Sequence, residues 1–181
     1  MVARRFLVIA TLAMTLVAAP GTSAQVAPAA EYRVKAAFLL NFLHFVEWPS
    51  ATFASGDAPI VICVVGADPF GDALEQTVEG ESVDQRRIVI RRARTPADVP
   101  PCQLVFISRS EAERLDDVFG ALGGTAPVLT VSDIDHFAAR GGIIGFLLDR
   151  NRVRFEIARS AAQRRHLKLS SQLLSLGRIV Q

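Results

Sequence analysis

The chain has 181 residues, half of them hydrophobic, with 20 Lys and Arg, 18 Asp and Glu, three His and two Cys. That length and apolar content fit one compact domain with a sizeable core, and no repeat or second domain is visible. Setting aside Arg4 and Arg5 at the start leaves 18 basic residues against 18 acidic ones, so there is no global electrostatic footprint for nucleic acid.

Residues 1–24 carry a charged start, an apolar run from Phe6 to Ala19 and small residues before Gln25, the three parts of a secretory signal peptide. Cleavage there is expected to leave a short disordered lead-in at 25–30 and a single domain at 31–181. The leader lacks a lipobox cysteine, so neither a lipid anchor nor membrane insertion of the mature chain is expected, and the mature chain is expected to be exported.

Glu31 to Pro49 reads as a helix ending at Trp48, because Pro49 disfavours a helical residue before it. Its uncharged run, Ala36 to Val46, is eleven residues, and crossing a bilayer takes about 20. Apolar side chains fall on nearly every side, so this is expected to be a core helix covered all round, with Phe38, Phe42 and Val46 buried.

Strands and helices then alternate. Ile60 to Val65 is a β-branched run suited to a strand buried on both faces. Asp68-Pro69 looks like a cap and first turn for a helix ending near Gly80. Further strands are expected at Arg87 to Arg92, Cys102 to Ile107 and Pro127 to Val131. Ser110 and Glu113 have capping-box spacing before a helix whose buried face is Leu115, Val118, Phe119 and Leu122. Ser132 or Asp133 is expected to cap a short helix through Arg140. Ile143 to Leu148 and Arg152 to Ile157 read as a hairpin turning at Asp149-Arg150-Asn151. A helix over Ala158 to His166 and another capped by Ser170 and carrying Leu173 to Ile179 finish the chain. This pattern predicts an α/β three-layer sandwich, with a mostly parallel sheet of five to six strands, a C-terminal β-hairpin and flanking helices.

Signatures of chemistry are scarce. Gly66 to Gly71 follows a strand where a phosphate loop would sit, but lacks dinucleotide or P-loop spacing, and Asp68 puts a carboxylate where phosphate charge would go. His44, His136 and His166 have no second ligand at metal spacing. Glu111, Glu113, Asp116 and Asp117 read as solvated charges near a helix start. No catalytic, cofactor-binding or metal-binding residue is assigned. Arginines cluster at 86–94 and at 150–154, which reads as polar strand faces or as a surface for an acidic partner. Cys63 and Cys102 are either a disulfide, closing a loop of about 40 residues and contributing roughly 3 to 4 kcal/mol, or two buried thiols.

The opening Tyr32-x-Val34-Lys35-Ala36-Ala37-Phe38-Leu39-x-Asn41-Phe42, with Val46-x-Trp48-Pro49, and the closing Val153-Arg154-Phe155-Glu156-Ile157 and Leu167-Lys168-Leu169-Ser170-Ser171 resemble the YfiR-like family of exported bacterial proteins. The resemblance implies a periplasmic, non-catalytic α/β protein, often a homodimer, that represses a membrane-bound sensor protein (a diguanylate cyclase or kinase) through its periplasmic domain, lowering cyclic-di-GMP synthesis and biofilm formation. Cys63 and Cys102 match the positions of one family disulfide. Two departures stand out: Ala158 where relatives carry Asn, and His166 where they carry Gly in what the resemblance suggests is a left-handed position. Phe146 and Glu156 on the hairpin are the candidates for partner contact, set against plain sheet packing and an exposed sheet charge. The alternative function is a small-molecule binder or enzyme using the crevice at the carboxyl ends of the parallel strands, near Gly66 to Phe70.

Overall fold

The structure, a computed structural model, describes residues 28–180; the expected leader at 1–24 lies outside the described residues. In chain order it contains α1 (Pro28–Phe45), β1 (Val46–Glu47), β2 (Ile60–Val65), α2 (Ala73–Val78), β3 (Ser82–Val83), β4 (Arg86–Ala93), β5 (Leu104–Ile107), α3 (Leu115–Ala121), β6 (Leu129–Ser132), β7 (Ile144–Asp149), β8 (Arg152–Ala158), α4 (Arg159–Arg164), β9 (Lys168–Leu169), α5 (Ser171–Leu176) and β10 (Arg178–Val180). Eight strands form one sheet in the order β3-β4-β2-β5-β6-β7-β8-β10, while β1 and β9 pair separately. From β4 to β7 the sheet is parallel. β8 then returns antiparallel to β7, and β10 lies parallel to β8.

Period-two alternation divides the side chains between two cores. Ile62, Val64, Leu104, Phe106, Leu129 and Val131 share one cluster with α1 and with Leu74, Ala161 and Leu173 from α2, α4 and α5. Cys63, Val65, Val105 and Ile107 share the other with Leu115, Val118 and Leu122. Helices thus cover both faces, the three-layer α/β arrangement the sequence predicts, with eight strands in place of five or six. β10 is one of the additions. Gly177 ends α5, and a Cβ there would lie 2.6 Å from the Phe155 ring, so only glycine lets the chain fold back onto β8 and carry Ile179 into a strand rather than a helix.

Several local expectations change once tertiary partners are present. α1 begins at Pro28, inside the expected lead-in, and stops at Phe45 rather than Trp48, because Val46 and Glu47 pair with Leu169 and Lys168 and the Phe45 carbonyl accepts from the Ser170 amide at 2.9 Å. Nor is α1 covered all round: Arg33, Ala37, Asn41 and His44 form an exposed stripe. Phe42 and Val46 are buried, whereas Phe38 is half-buried. The Asp68 carboxylate caps a turn by accepting from the Phe70 amide, and α2 starts only at Ala73. Ser108, not Ser110, caps the turn of 3-10 helix at Arg109–Arg114. No helix follows Asp133; residues 135–141 are turns.

The hairpin and the last cap are as expected. Arg150 and Asn151 have φ of 49° and 61°, the two left-handed positions of a tight two-residue turn. The Ser170 hydroxyl accepts from the Leu173 amide at 3.1 Å. Ala158, at the start of α4, supplies no side-chain cap, and His166 sits at φ 57°.

Candidate functional site

In a parallel sheet of this order the crevice for ligands opens where neighbouring crossovers diverge, here between the carboxyl ends of β2 and β5. The chain fills that position itself. Gly66, after β2, has φ 89°, and a Cβ there would lie 2.3 Å from Ser110 Oγ and 2.6 Å from Glu111 Oε1. The Ala67 amide donates to Ser110 Oγ at 2.9 Å, and that hydroxyl donates to Glu111 Oε1 at 3.1 Å. Glu111 is buried, against the expectation of a solvated charge, because Arg114 donates to both its carboxylate oxygens at 3.1 and 2.9 Å. A pre-placed carboxylate repels phosphate, and Asp68 adds another, held by Arg92 at 2.6 Å.

One strand further along, beyond β6, lies a buried polar cluster that sequence reading did not assemble. Asp133 Oδ2 accepts from Tyr32 OH at 2.7 Å and from Lys35 Nζ at 2.5 Å. Lys35 and Asp133 are each 2 % exposed. Glu31 also contacts Lys35, while Arg109 donates through Nε to the Asp133 carbonyl at 3.0 Å and stands 3.6 Å from Oδ1. The four charges balance. Ser132 anchors the same turn, donating to the Ile107 carbonyl at 2.6 Å and accepting from the Ile134 amide at 2.9 Å. Burial, and then the Asp133 bond, push the Tyr32 phenol above its ordinary value, so it is no base at neutral pH. With Lys35 sealed beneath, the cluster works as a clamp between α1 and the sheet. The Tyr32-x-x-Lys35 spacing was visible in the sequence; its partner, 98 residues beyond Lys35, was not.

Cys63 and Cys102 come together in one apolar cluster, 0 % and 5 % exposed, and are not bonded to each other in the structure. Each thiol perturbs the other: the neighbouring Cys102 lowers the Cys63 pKa, while the neighbouring Cys63 and then burial raise that of Cys102. Phe146 is in the core, its ring 5.9 Å from Phe38 and 5.8 Å from Phe42. Glu156 lies nearly buried beside Gly145 and accepts from Arg178 at 2.7 Å. The two hairpin candidates stand on adjacent strands but on opposite faces of the sheet, Phe146 level with Phe155 and Glu156 level with Gly145, and Glu156 reaches the surface through an arginine. Of the clustered basic residues, Arg86 stacks 4.0 Å over the Phe53 ring and Arg92 is tied to Asp68 and Glu75, while Arg91, Arg152 and Arg154 are exposed.

A model of the family described as YfiR/HmsC-like matches residues 32–178, nearly all of the described chain. The chain belongs to the YfiR/HmsC-like family. No curated protein matches it. The YfiR/HmsC-like family is periplasmic and regulatory rather than catalytic. Among the described residues no helix is long and apolar enough to cross a membrane.

Proposed function

We propose that the chain is a periplasmic repressor that binds the periplasmic sensor domain of an inner-membrane signalling protein of the diguanylate cyclase type. Family membership over residues 32–178 carries this reading. Binding one conformation of a receptor better than another shifts its equilibrium without catalysis. Self-filling of the crevice by Ser110 and Glu111 argues against the alternative of a ligand or enzyme site near Gly66.

The surface we assign to the partner is the hairpin end beside β10. Leu148 and Leu176, two of the exposed large hydrophobic residues among those described, lie there. A groove lined by Leu148, Arg154, Leu176 and Arg178 runs between them. Glu156 fixes Arg178 at its margin, and Phe146 supports the strands from the core. Affinity purification of the exported protein from a membrane extract is expected to retain a sensor protein, and Leu176→Asp to release it. Deletion of the gene is expected to raise cyclic-di-GMP. An unchanged cyclic-di-GMP level and an empty pull-down would together reject the repressor.

The homodimer belongs to the same proposal, and so does a Cys63–Cys102 disulfide in oxidising surroundings. The packing of the two thiols supports it, since bond formation needs no new neighbour. In denaturant, protein purified from the periplasm is expected to show no free thiol until reductant exposes two. Two thiols without reductant would exclude the bond.

A further inference from the structure

The hairpin of β7 and β8 outruns both of its neighbours in the sheet. β6 stops with Ser132 opposite Gly145, and β10 begins with Arg178 opposite Glu156. The pairs beyond, Phe146 with Phe155, Leu147 with Arg154, Leu148 with Val153 and Asp149 with Arg152, have no third strand on either side. β7 and β8 thus run on as a two-stranded arm, and each open edge is a row of backbone groups for water or another chain to pair. Between the β8 edge of the arm and the junction of α5 with β10 lies a groove of about 630 Å³, whose lining includes Leu148, Arg154, Phe155, Leu176 and Arg178. The arm is also two-faced. Alternation sets Arg152 and Arg154 on one face, and Val153, level with Leu148, on the other, the face that α5 covers.

We propose that the arm holds its partner by strand addition: an extended segment of the partner protein, with acidic and apolar residues in alternation, pairs along Arg152 to Phe155 in line with β10. Charge selects the acids. Arg150, Arg152 and Arg154 are exposed and take part in none of the ion pairs formed among the described residues, and Asp149 is the one acid on the arm. Arginine on an edge also guards against indiscriminate pairing. A guard alone does not account for Leu148 and Leu176, 51 % and 60 % exposed on the other face, which offer the apolar residues of an added strand their contact. A second copy fits less well. Pairing two such edges sets arginines of the two copies against each other, and the far side of the sheet is basic as well, with Arg87 and Arg91 exposed on β4. The proposal rests on the repressor reading for who the partner is, and adds how that partner is held.

Three blocked peptides are titrated into the purified protein: one alternating glutamate with valine, the same peptide N-methylated throughout, and one with lysine in place of glutamate. Calorimetry reads binding, and hydrogen exchange reads the amides of the arm. The glutamate peptide is expected to bind saturably, more weakly as salt rises, and to protect amides between Arg152 and Phe155. Neither of the others is expected to bind. Arg152→Glu combined with Arg154→Glu is expected to weaken the glutamate peptide about tenfold, with the unfolding midpoint unchanged because both side chains are exposed. No saturable binding, equal binding of the N-methylated or lysine peptide, or full affinity in the double variant would each overturn strand addition. So would a dimer of the parent that the double variant dissolves, since the edge then belongs to a second copy. The membrane pull-down keeps this proposal apart from the repressor reading. A sensor protein held by the parent and lost by the double variant supports both. One held equally by the two chains leaves the repressor standing and overturns the edge. An empty pull-down with cyclic-di-GMP unchanged on deletion rejects the repressor, and the peptide titrations still decide the edge.

Discussion

Asp133→Ala is expected to destabilise the protein by about 3 to 5 kcal/mol, the range for removing one partner of a buried ion pair. At this chain length that lowers the melting temperature by about 6 to 20 °C. The cause is what the substitution leaves behind. Lys35 is left at 2 % exposure with only Glu31 as its ionic partner, and the Tyr32 hydroxyl loses its acceptor. Removing both ends together has a different outcome. Lys35→Met combined with Asp133→Leu replaces a desolvated pair by apolar volume, and most of the loss is expected to return. Thermal and urea unfolding of the two single variants and the double variant measure the coupling. If Asp133→Ala lies within about 1 kcal/mol of the parent, the clamp carries little energy and the cluster needs another explanation.

Phe42→Ala is expected to cost a similar amount, about 3 to 5 kcal/mol, by a separate mechanism. Its ring is 1 % exposed and meets Phe146 at 5.8 Å and Phe155 at 5.1 Å, so truncation opens a cavity between α1 and the hairpin. Phe38 touches the same two rings but is half-buried, and Phe38→Ala is expected to cost less, about 1 to 3 kcal/mol. The ordering is the test. A larger loss at Phe38 than at Phe42 would mean that α1 is rotated on the sheet.

Much of this architecture was legible in the sequence because its signals are local. The β-branched run at Ile60 to Val65, the alternation of Val153, Phe155 and Ile157, the hairpin turn and the Ser170 cap each depend on a few neighbouring residues. What was not legible depends on residues far away. α1 ends at Phe45 because of Leu169 and Ser170, and Glu111 is buried because Gly66 leaves room for it. Asp133 looked like a helix cap because Ser, Asp and Asn before apolar residues usually are; its carboxylate was instead claimed by a lysine 98 residues away. Ile179 fitted a helical stripe, and only the close approach allowed at Gly177 makes it a strand. The candidate site behaved alike: the cysteines were found by counting, but the clamp exists only after the chain has folded.

The closure of β1 against β9 governs how the chain matures. Synthesis and any transfer across a membrane deliver residues from the amino end first, yet α1 leads, and its stop signal comes from Lys168 to Ser170 near the other end. Its buried ammonium must wait for Asp133 as well. An emerging α1 therefore has no finished surface to dock on until nearly the whole chain has arrived, and non-local contacts of this kind form late. The residues from Lys168 onward therefore complete the surface on which the first helix docks.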